Sequence, residues 1–150
     1  MLFRSWFERD YTEYGYEFGT APERLRALRR DLPLIQDRLA KLTPGPKGPL
    51  PILIGGSGER VTLKIVAEFA DAWNTFGPPE HFAAKNAVLD EWCAKVGRDP
   101  RAIERTVAIG AHEVDDWERF IEAGADHLIV MTGHPFDLEP AERLLAAVRA

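Results

Sequence analysis

A glycine cluster between residues 55 and 58 is the part of this chain best suited to chemistry. It reads Gly55-Gly56-Ser57-Gly58, follows the short apolar run Ile52–Ile54, and leads at once into an amphipathic segment. That order predicts a strand, a tight turn and a helix. Backbone N–H groups at such a turn, together with a helix N-terminus, bind anions, and phosphate-bearing cofactors of α/β proteins lie at turns of this kind. The glycines alone are equally compatible with a turn that needs positive φ angles and binds nothing.

Arg60 strengthens the anion hypothesis, because a guanidinium group pairs with phosphate through two hydrogen bonds. A solvated arginine in the first turn of a helix is the alternative interpretation. Two common phosphate motifs do not match. A P-loop needs Gly-Lys followed by Ser or Thr where this chain has Gly58-Glu59-Arg60, and a dinucleotide fingerprint that starts at Gly56 needs Gly or Ala where Val61 stands. The segment from Gly55 to Arg60 is therefore a candidate phosphate site outside both motifs.

The elements that would position this turn follow from the spacing of apolar residues. Strands and helices alternate in the order strand 51–55, helix 59–70, strand 71–76, helix 78–96, strand 106–111, helix 115–123, strand 127–131 and helix 138–148. Helices between short buried strands indicate parallel βαβ units with right-handed crossovers. We therefore predict an α/β fold with four parallel strands.

The chain before residue 51 has a different pattern. Residues 1–19 are rich in aromatic side chains and are predicted to be irregular. Residues 20–42 are predicted to form a helix, with Thr20 as its N-cap and a kink at Pro33, because leucines recur at spacings of three and four. Residues 43–50 form a loop rich in proline and glycine.

Composition limits the class of protein. A chain of 150 residues with 45% hydrophobic residues predicts one folded domain. The net charge is −5 and basic residues form no stripe, so neither nucleic acid nor a membrane surface is an expected partner. No apolar run has the 18 or more residues of a membrane span. Cys93 is the only cysteine, which fits a reducing compartment, and we predict a buried thiol in a cytoplasmic protein.

The segment from Pro51 to Asn74 resembles the luciferase-like monooxygenase superfamily, most closely its branch that uses coenzyme F-420, a deazaflavin. The resemblance rests on the proline-rich lead, the Gly-Gly-x-Gly turn, the Glu-Arg pair and the closing Ala70-Asp71-Ala72-Trp73-Asn74. The aromatic and acidic stretch Trp6–Tyr11 and the turn Gly97-Arg98-Asp99-Pro100 extend it over essentially the whole chain. The resemblance implies a (β/α)8 TIM barrel, of which this chain would supply the C-terminal half. Together with the βαβ pattern, it predicts that the four strands lie in sequential order with helices on the outer face.

The resemblance also implies a cofactor and its contacts. The cofactor would be coenzyme F-420 or FMN, and the residues expected to hold its phosphate-bearing tail are Gly55, Gly56, Ser57, Gly58 and Arg60. Trp73 and Asn74, near the end of the second strand, would face the mouth of the barrel as weaker contacts to the substrate or the ring. A turn-forming role is the alternative for Asn74. The catalytic residues are unknown, and no group of residues has the spacing of a metal site.

Two functions follow from this resemblance. In the first, the chain is a flavin- or deazaflavin-dependent oxidoreductase that acts on a small organic substrate by hydride transfer or monooxygenation. In the second, it is a truncated, non-catalytic half-barrel that binds a cofactor tail or serves in oligomerisation. A half-barrel also exposes its former interior, which we expect to be lined by Ile52, Ile54, Val107 and Ile129, so a homodimer or other oligomer is predicted.

Overall fold

The structure is a computed structural model that describes residues 7–149. The chain divides into two compact units at the boundary between Leu50 and Pro51, and each unit is described by itself. The predictions for residues 1–6, including the part of the resemblance carried by Trp6, lie outside the described residues.

The first unit contains two helices, α1 (Glu8–Glu13) and α2 (Ala21–Ala40). α1 lies in the segment that was predicted to be irregular. The ion pair between Arg9 and Glu13, one helical turn apart at 2.7 Å, supports it, and the ring of Tyr11 packs edge-on against Phe18 at 5.0 Å. The prediction rested on the aromatic composition of the segment and did not take the Arg9–Glu13 pair into account.

The predicted start of α2 is confirmed. The N–H and hydroxyl groups of Thr20 both donate to the carboxylate of Glu23 at 2.8 Å, which closes a capping box. The helix continues through Pro33 and ends at Ala40, two residues before the predicted end.

The second unit is an α/β layer, as predicted. Its strands are β1 (Leu53–Gly55), β2 (Ala72–Phe76), β3 (Glu104–Ile109) and β4 (His127–Val130). They are parallel and lie in the order β1-β2-β3-β4, which confirms the predicted topology. The helices that alternate with them are α3 (Thr62–Phe69), α4 (Pro79–Val96), α5 (Trp117–Glu122) and α6 (Glu139–Arg149). Short 3₁₀ turns at Pro100–Ala102 and Ala111–Asp116 complete the unit.

The two faces of the sheet differ in burial. The covered face carries the row Ile54, Trp73 and Arg105, all buried, and the ring of Trp73 stacks on Phe82 of α4. The open face carries exposed apolar side chains at the strand ends, among them Phe76 (59% exposed) and Ile129 (37%).

The prediction of which side chains line the open face was therefore partly wrong. Ile54 and Val107 lie on the covered face, because the register places Ile54 beside Trp73 and Val107 beside Thr75, and Trp73 and Thr75 point towards the helices. Ile129 lies on the open face as predicted. Side chains alternate with a period of two along a strand, so a difference of one residue in the alternation moves a side chain to the opposite face.

The start of α3 also differs from the prediction. The helix begins at Thr62 instead of residue 59, and residues 59–61 form a turn. The N–H of Leu63 donates to the carbonyl of Gly58 at 3.0 Å, a wider loop than an α-helical turn, and Val61 is not helical (φ −124°, ψ −53°). The turn after β1 is therefore longer than the sequence predicted.

Candidate anion-binding site at the glycine turn

The turn after β1 requires glycine at two positions. Gly56 has a φ of +126°, a conformation that other residues rarely adopt, and its N–H donates to the carbonyl of Asn74 at 2.9 Å. A side-chain carbon on Gly58 would lie 2.7 Å from Oγ1 of Thr62. Gly56 therefore allows the backbone to turn after β1, and Gly58 allows Thr62, the first residue of α3, to pack against the backbone of the turn.

Four consecutive backbone N–H groups of this turn have no hydrogen-bond partner within residues 7–149. They belong to Ser57, Gly58, Glu59 and Arg60. They lie between the carboxyl end of a parallel strand and the start of the eight-residue helix α3. Unpaired N–H groups next to a helix N-terminus form an anion-binding concavity.

The guanidinium of Arg60 is also available. The side chain belongs to an exposed residue and makes no hydrogen bond or ion pair with any other described residue. Of the tail residues predicted from the sequence, Gly55, Gly56, Ser57, Gly58 and Arg60 thus all lie in one continuous turn, and Gly55 is the last residue of β1.

Trp73 is placed differently from the prediction. Its side chain is completely buried, stacks on Phe82 at 5.5 Å with an angle of 17° between the rings, and donates from Nε1 to the carbonyl of Gly56 at 2.8 Å. A side chain with no exposed surface cannot contact a substrate at the barrel mouth. Trp73 instead supports the glycine turn from the covered face of the sheet, where its side chain lies between β2 and α4.

Asn74 lies on the open face, level with Gly55 and Thr106 in the strand register. Its side-chain amide donates to the hydroxyl of Thr106 at 2.8 Å, and that hydroxyl donates to the carbonyl of Trp73 at 3.0 Å. Asn74 is half-buried and remains a candidate contact to a ligand on this face. Nothing about its hydrogen bonds resembles a turn, which was the alternative interpretation.

The motif Ala70–Asn74 acts largely as a support for the turn. Besides the bonds of Trp73 and Asn74, the carboxylate of Asp71 accepts the N–H of Ile52 at 2.8 Å, which fixes the chain as it enters β1. Three residues of one short motif therefore hold both ends of β1, and the pattern that carried the family resemblance has a structural cause.

Two residues of α4 bind the turn from the other side. The ammonium of Lys85 pairs with the carboxylate of Glu59 at 2.5 Å, and the indole Nε1 of Trp92 donates to the carbonyl of Glu59 at 2.7 Å. The hydrogen bond and the charge of Lys85 hold the pKa of the Glu59 carboxyl below its ordinary value. The side chain of Glu59 is 55% exposed to solvent and is at the same time tied to α4. Neither bond could be predicted from the sequence, because the partners are 26 and 33 residues apart.

Within residues 7–149, the other reactive side chains form no second site. Cys93 is buried as predicted, and burial raises the pKa of its thiol. His112 is well exposed beyond β3, and His134 beyond β4 packs edge-on against Phe136 at 5.8 Å. In the described part of the chain, no three His, Cys, Asp or Glu residues form a group that could hold a metal ion. Each helix within residues 7–149 is too short or too polar to pass through a lipid bilayer.

Comparison with solved structures supports the fold. An F420-dependent secondary alcohol dehydrogenase, solved in complex with an F420-acetone adduct, is similar over 89% of this chain and 64% of that chain, with a TM-score of 0.73 and 14% sequence identity. At that identity the likeness shows the fold, so the sheet and its helices correspond to part of a TIM barrel. The present chain spans less than two thirds of that chain.

Comparison by sequence gives the family. No curated protein matches the sequence. The family described as luciferase-like monooxygenase matches residues 2–149, nearly the whole chain. The chain therefore belongs to the luciferase-like monooxygenase family.

Proposed function

We propose that this chain is part of a flavin- or deazaflavin-dependent oxidoreductase and holds the phosphate-bearing tail of the cofactor at the turn Gly55–Arg60. The observation that carries the proposal is the row of four unpaired N–H groups beside the unpaired guanidinium of Arg60. A phosphate needs both features: hydrogen-bond donors that need not give up other partners, and a charge of opposite sign.

Coenzyme F-420 is our first choice of cofactor and FMN is the second. The similar solved structure binds F-420, and a phosphate at this turn is compatible with the tail of either molecule. When bound, the cofactor ring supplies hydride chemistry, and the protein binds and orients the cofactor and a small organic substrate. Asn74, half-buried on the open face, is the residue of this chain that we propose for contact with the ring or the substrate.

Replacing Arg60 by alanine tests the tail site directly. We expect Arg60→Ala to weaken the binding of coenzyme F-420 and FMN by about 1.5–3 kcal/mol, or roughly 10- to 150-fold, because a hydrogen bond to a charged group is lost. The measurement is a titration of each cofactor by absorbance and fluorescence against the wild type and the variant.

The matched control for this titration is Arg101→Ala. Its side chain is 91% exposed, and the substitution removes the same charge at a distance from the turn. Equal affinities for wild type and Arg60→Ala would remove Arg60 from the site. Binding of neither cofactor to the wild type would instead favour the second function, a non-catalytic half-barrel that serves in oligomerisation.

We also propose that a second copy of the chain covers the open face of the sheet. Large apolar side chains are exposed there at the ends of β1, β2 and β4, including Leu53, Phe76 and Met131. A soluble protein rarely leaves such a surface uncovered, and β1 and β4 each pair with a single neighbour in the sheet.

Sedimentation velocity at micromolar concentration tests this oligomer. We expect a dimer for the wild type and a monomer for Phe76→Asp, because a carboxylate in an apolar interface is costly. Ile121→Asp is the control, since Ile121 is comparably exposed (46%) but lies on α5. A monodisperse wild-type monomer would contradict the proposal, as would a dimer that Phe76→Asp leaves intact.

A further inference from the structure

Two indole groups and one ammonium group hold the glycine turn at both of its ends. Trp73 of β2 binds the carbonyl of Gly56, while Trp92 and Lys85 of α4 bind the carbonyl and the carboxylate of Glu59. We propose that Lys85 and Trp92 are positioning residues that keep the turn in its phosphate-binding shape and offset the charge of Glu59. This inference rests on the proposed tail site and assigns roles to residues outside it.

The first step of the argument concerns Trp73 and the peptide between Gly56 and Ser57. In a trans peptide the C=O and N–H bonds point in nearly opposite directions. The buried indole of Trp73 holds the carbonyl of Gly56 towards the covered side of the sheet. The N–H of Ser57 in the same peptide must therefore point away from the protein core.

The same reasoning applies to Trp92 and the peptide between Glu59 and Arg60. The indole of Trp92 holds the carbonyl of Glu59 towards α4, so the N–H of Arg60 points away from that helix. The ring of Trp92 is itself held between two ammonium groups, those of Lys64 at 5.4 Å and Lys95 at 4.7 Å. The two indoles thus fix two peptide planes of one turn and leave both N–H groups free for a ligand.

Lys85 neutralises a negative charge that lies within the turn. Glu59 lies between Gly58 and Arg60, so its negative charge is close to any phosphate bound there and repels it. The ammonium of Lys85 is only 17% exposed and pairs with this carboxylate at 2.5 Å. The pair draws the carboxylate towards α4 and cancels its charge, which leaves Arg60 as the net charge of the turn.

The role of Trp92 can be tested by NMR with inorganic phosphate as the probe. In the wild type we expect phosphate to shift the amide proton signals of Ser57 and Arg60. Trp92→Phe keeps the ring between the two lysines and removes only the N–H donor. We expect the Arg60 signal to lose most of its shift in this variant while the Ser57 signal keeps its own, because Trp73 still holds the other peptide.

The role of Lys85 can be tested through charge. We expect Lys85→Met to weaken phosphate binding about three- to tenfold, and the double variant Lys85→Met/Glu59→Gln to recover most of that loss. Both variants lack the tether, so only the charge of Glu59 distinguishes them. Lys41→Met is the control, because Lys41 also pairs with a carboxylate, that of Asp37 at 2.7 Å, and has no part in the proposed support of the turn.

The outcomes separate this inference from the proposed function. Absence of phosphate shifts at Ser57 and Arg60 in the wild type would overturn the tail site itself. Wild-type shifts that persist unchanged in Trp92→Phe, together with unchanged phosphate affinity in Lys85→Met, would overturn only the positioning roles. A fall in both amide shifts of Trp92→Phe by the same factor would indicate general loosening of the fold and would also overturn the role assigned to Trp92.

Discussion

Trp73→Ala should lower the free energy of unfolding of the second unit by about 3–5 kcal/mol. The indole is completely buried, stacks on Phe82 and donates to the carbonyl of Gly56. Alanine would leave a cavity between β2 and α4 that the surrounding side chains fill only in part. The loss should also release the glycine turn, because the carbonyl of Gly56 loses its buried partner.

Chemical denaturation followed by circular dichroism measures this effect, and Trp73→Phe separates its two parts. Phenylalanine keeps a stacked ring against Phe82 and removes the N–H donor, so we expect a cost of about 0.5–1.5 kcal/mol for the lost bond, plus a smaller packing term. Ile121→Ala is the control, and its cost should be small because Ile121 is exposed on α5. A cost below 1 kcal/mol for Trp73→Ala would contradict the packing described here.

The arrangement of strands was predictable because it depends on local patterns. Each short apolar run between helical segments is a strand, and a parallel βαβ unit admits one handedness of connection. The four parallel strands followed from these two facts, and their sequential order followed from these facts together with the topology of the family that the chain resembles. The glycine turn was equally visible, since a strand that stops at Gly55 and is followed by three small residues has few other local structures.

The faces of the strands were harder to predict. β1 is three residues long, and the residues directly before it are apolar as well. Its sequence therefore contains no alternation of polar and apolar residues from which the faces could be assigned. Ile54 was therefore assigned to the open face although it is buried under the helices. Trp73 was misplaced for a similar reason, because each face of its strand carries both polar and apolar residues and its direction depends on the register with β1 and β3.

The residues that support the candidate site from α4 could not be predicted from sequence patterns. Lys85 and Trp92 look like ordinary residues of an amphipathic helix, and their bonds to Glu59 exist only because α4 packs beside α3. The late start of α3 has a local origin, since Gly58 accepts a hydrogen bond from Leu63 and widens the turn. Long-range packing decided the bonds of Lys85 and Trp92, whereas the residues of the turn itself were found by composition.

The second large effect concerns a charged pair beneath the sheet. Arg105 points from β3 to the covered face, where it is 5% exposed, and its guanidinium donates to the carboxylate of Asp90 at 2.8 Å and to the carbonyl of Pro100 at 3.1 Å. Removing one partner of a buried pair leaves the other charge uncompensated and costs about 3–5 kcal/mol. Asp90 is 52% exposed, so water offsets part of that cost.

We therefore expect Asp90→Ala to destabilise the second unit by about 2–4 kcal/mol. This cost is lower than that of a fully buried pair, because water reaches Asp90. The control is Glu91→Ala on the next residue of the same helix. Glu91 pairs with Lys95 at 3.7 Å between two well-exposed side chains, so its loss should cost about 0–1 kcal/mol. Denaturant unfolding of the two variants measures the difference directly. Equal costs would show that Arg105 finds another partner or water under the sheet, and the guanidinium would then contribute no specific support to β3.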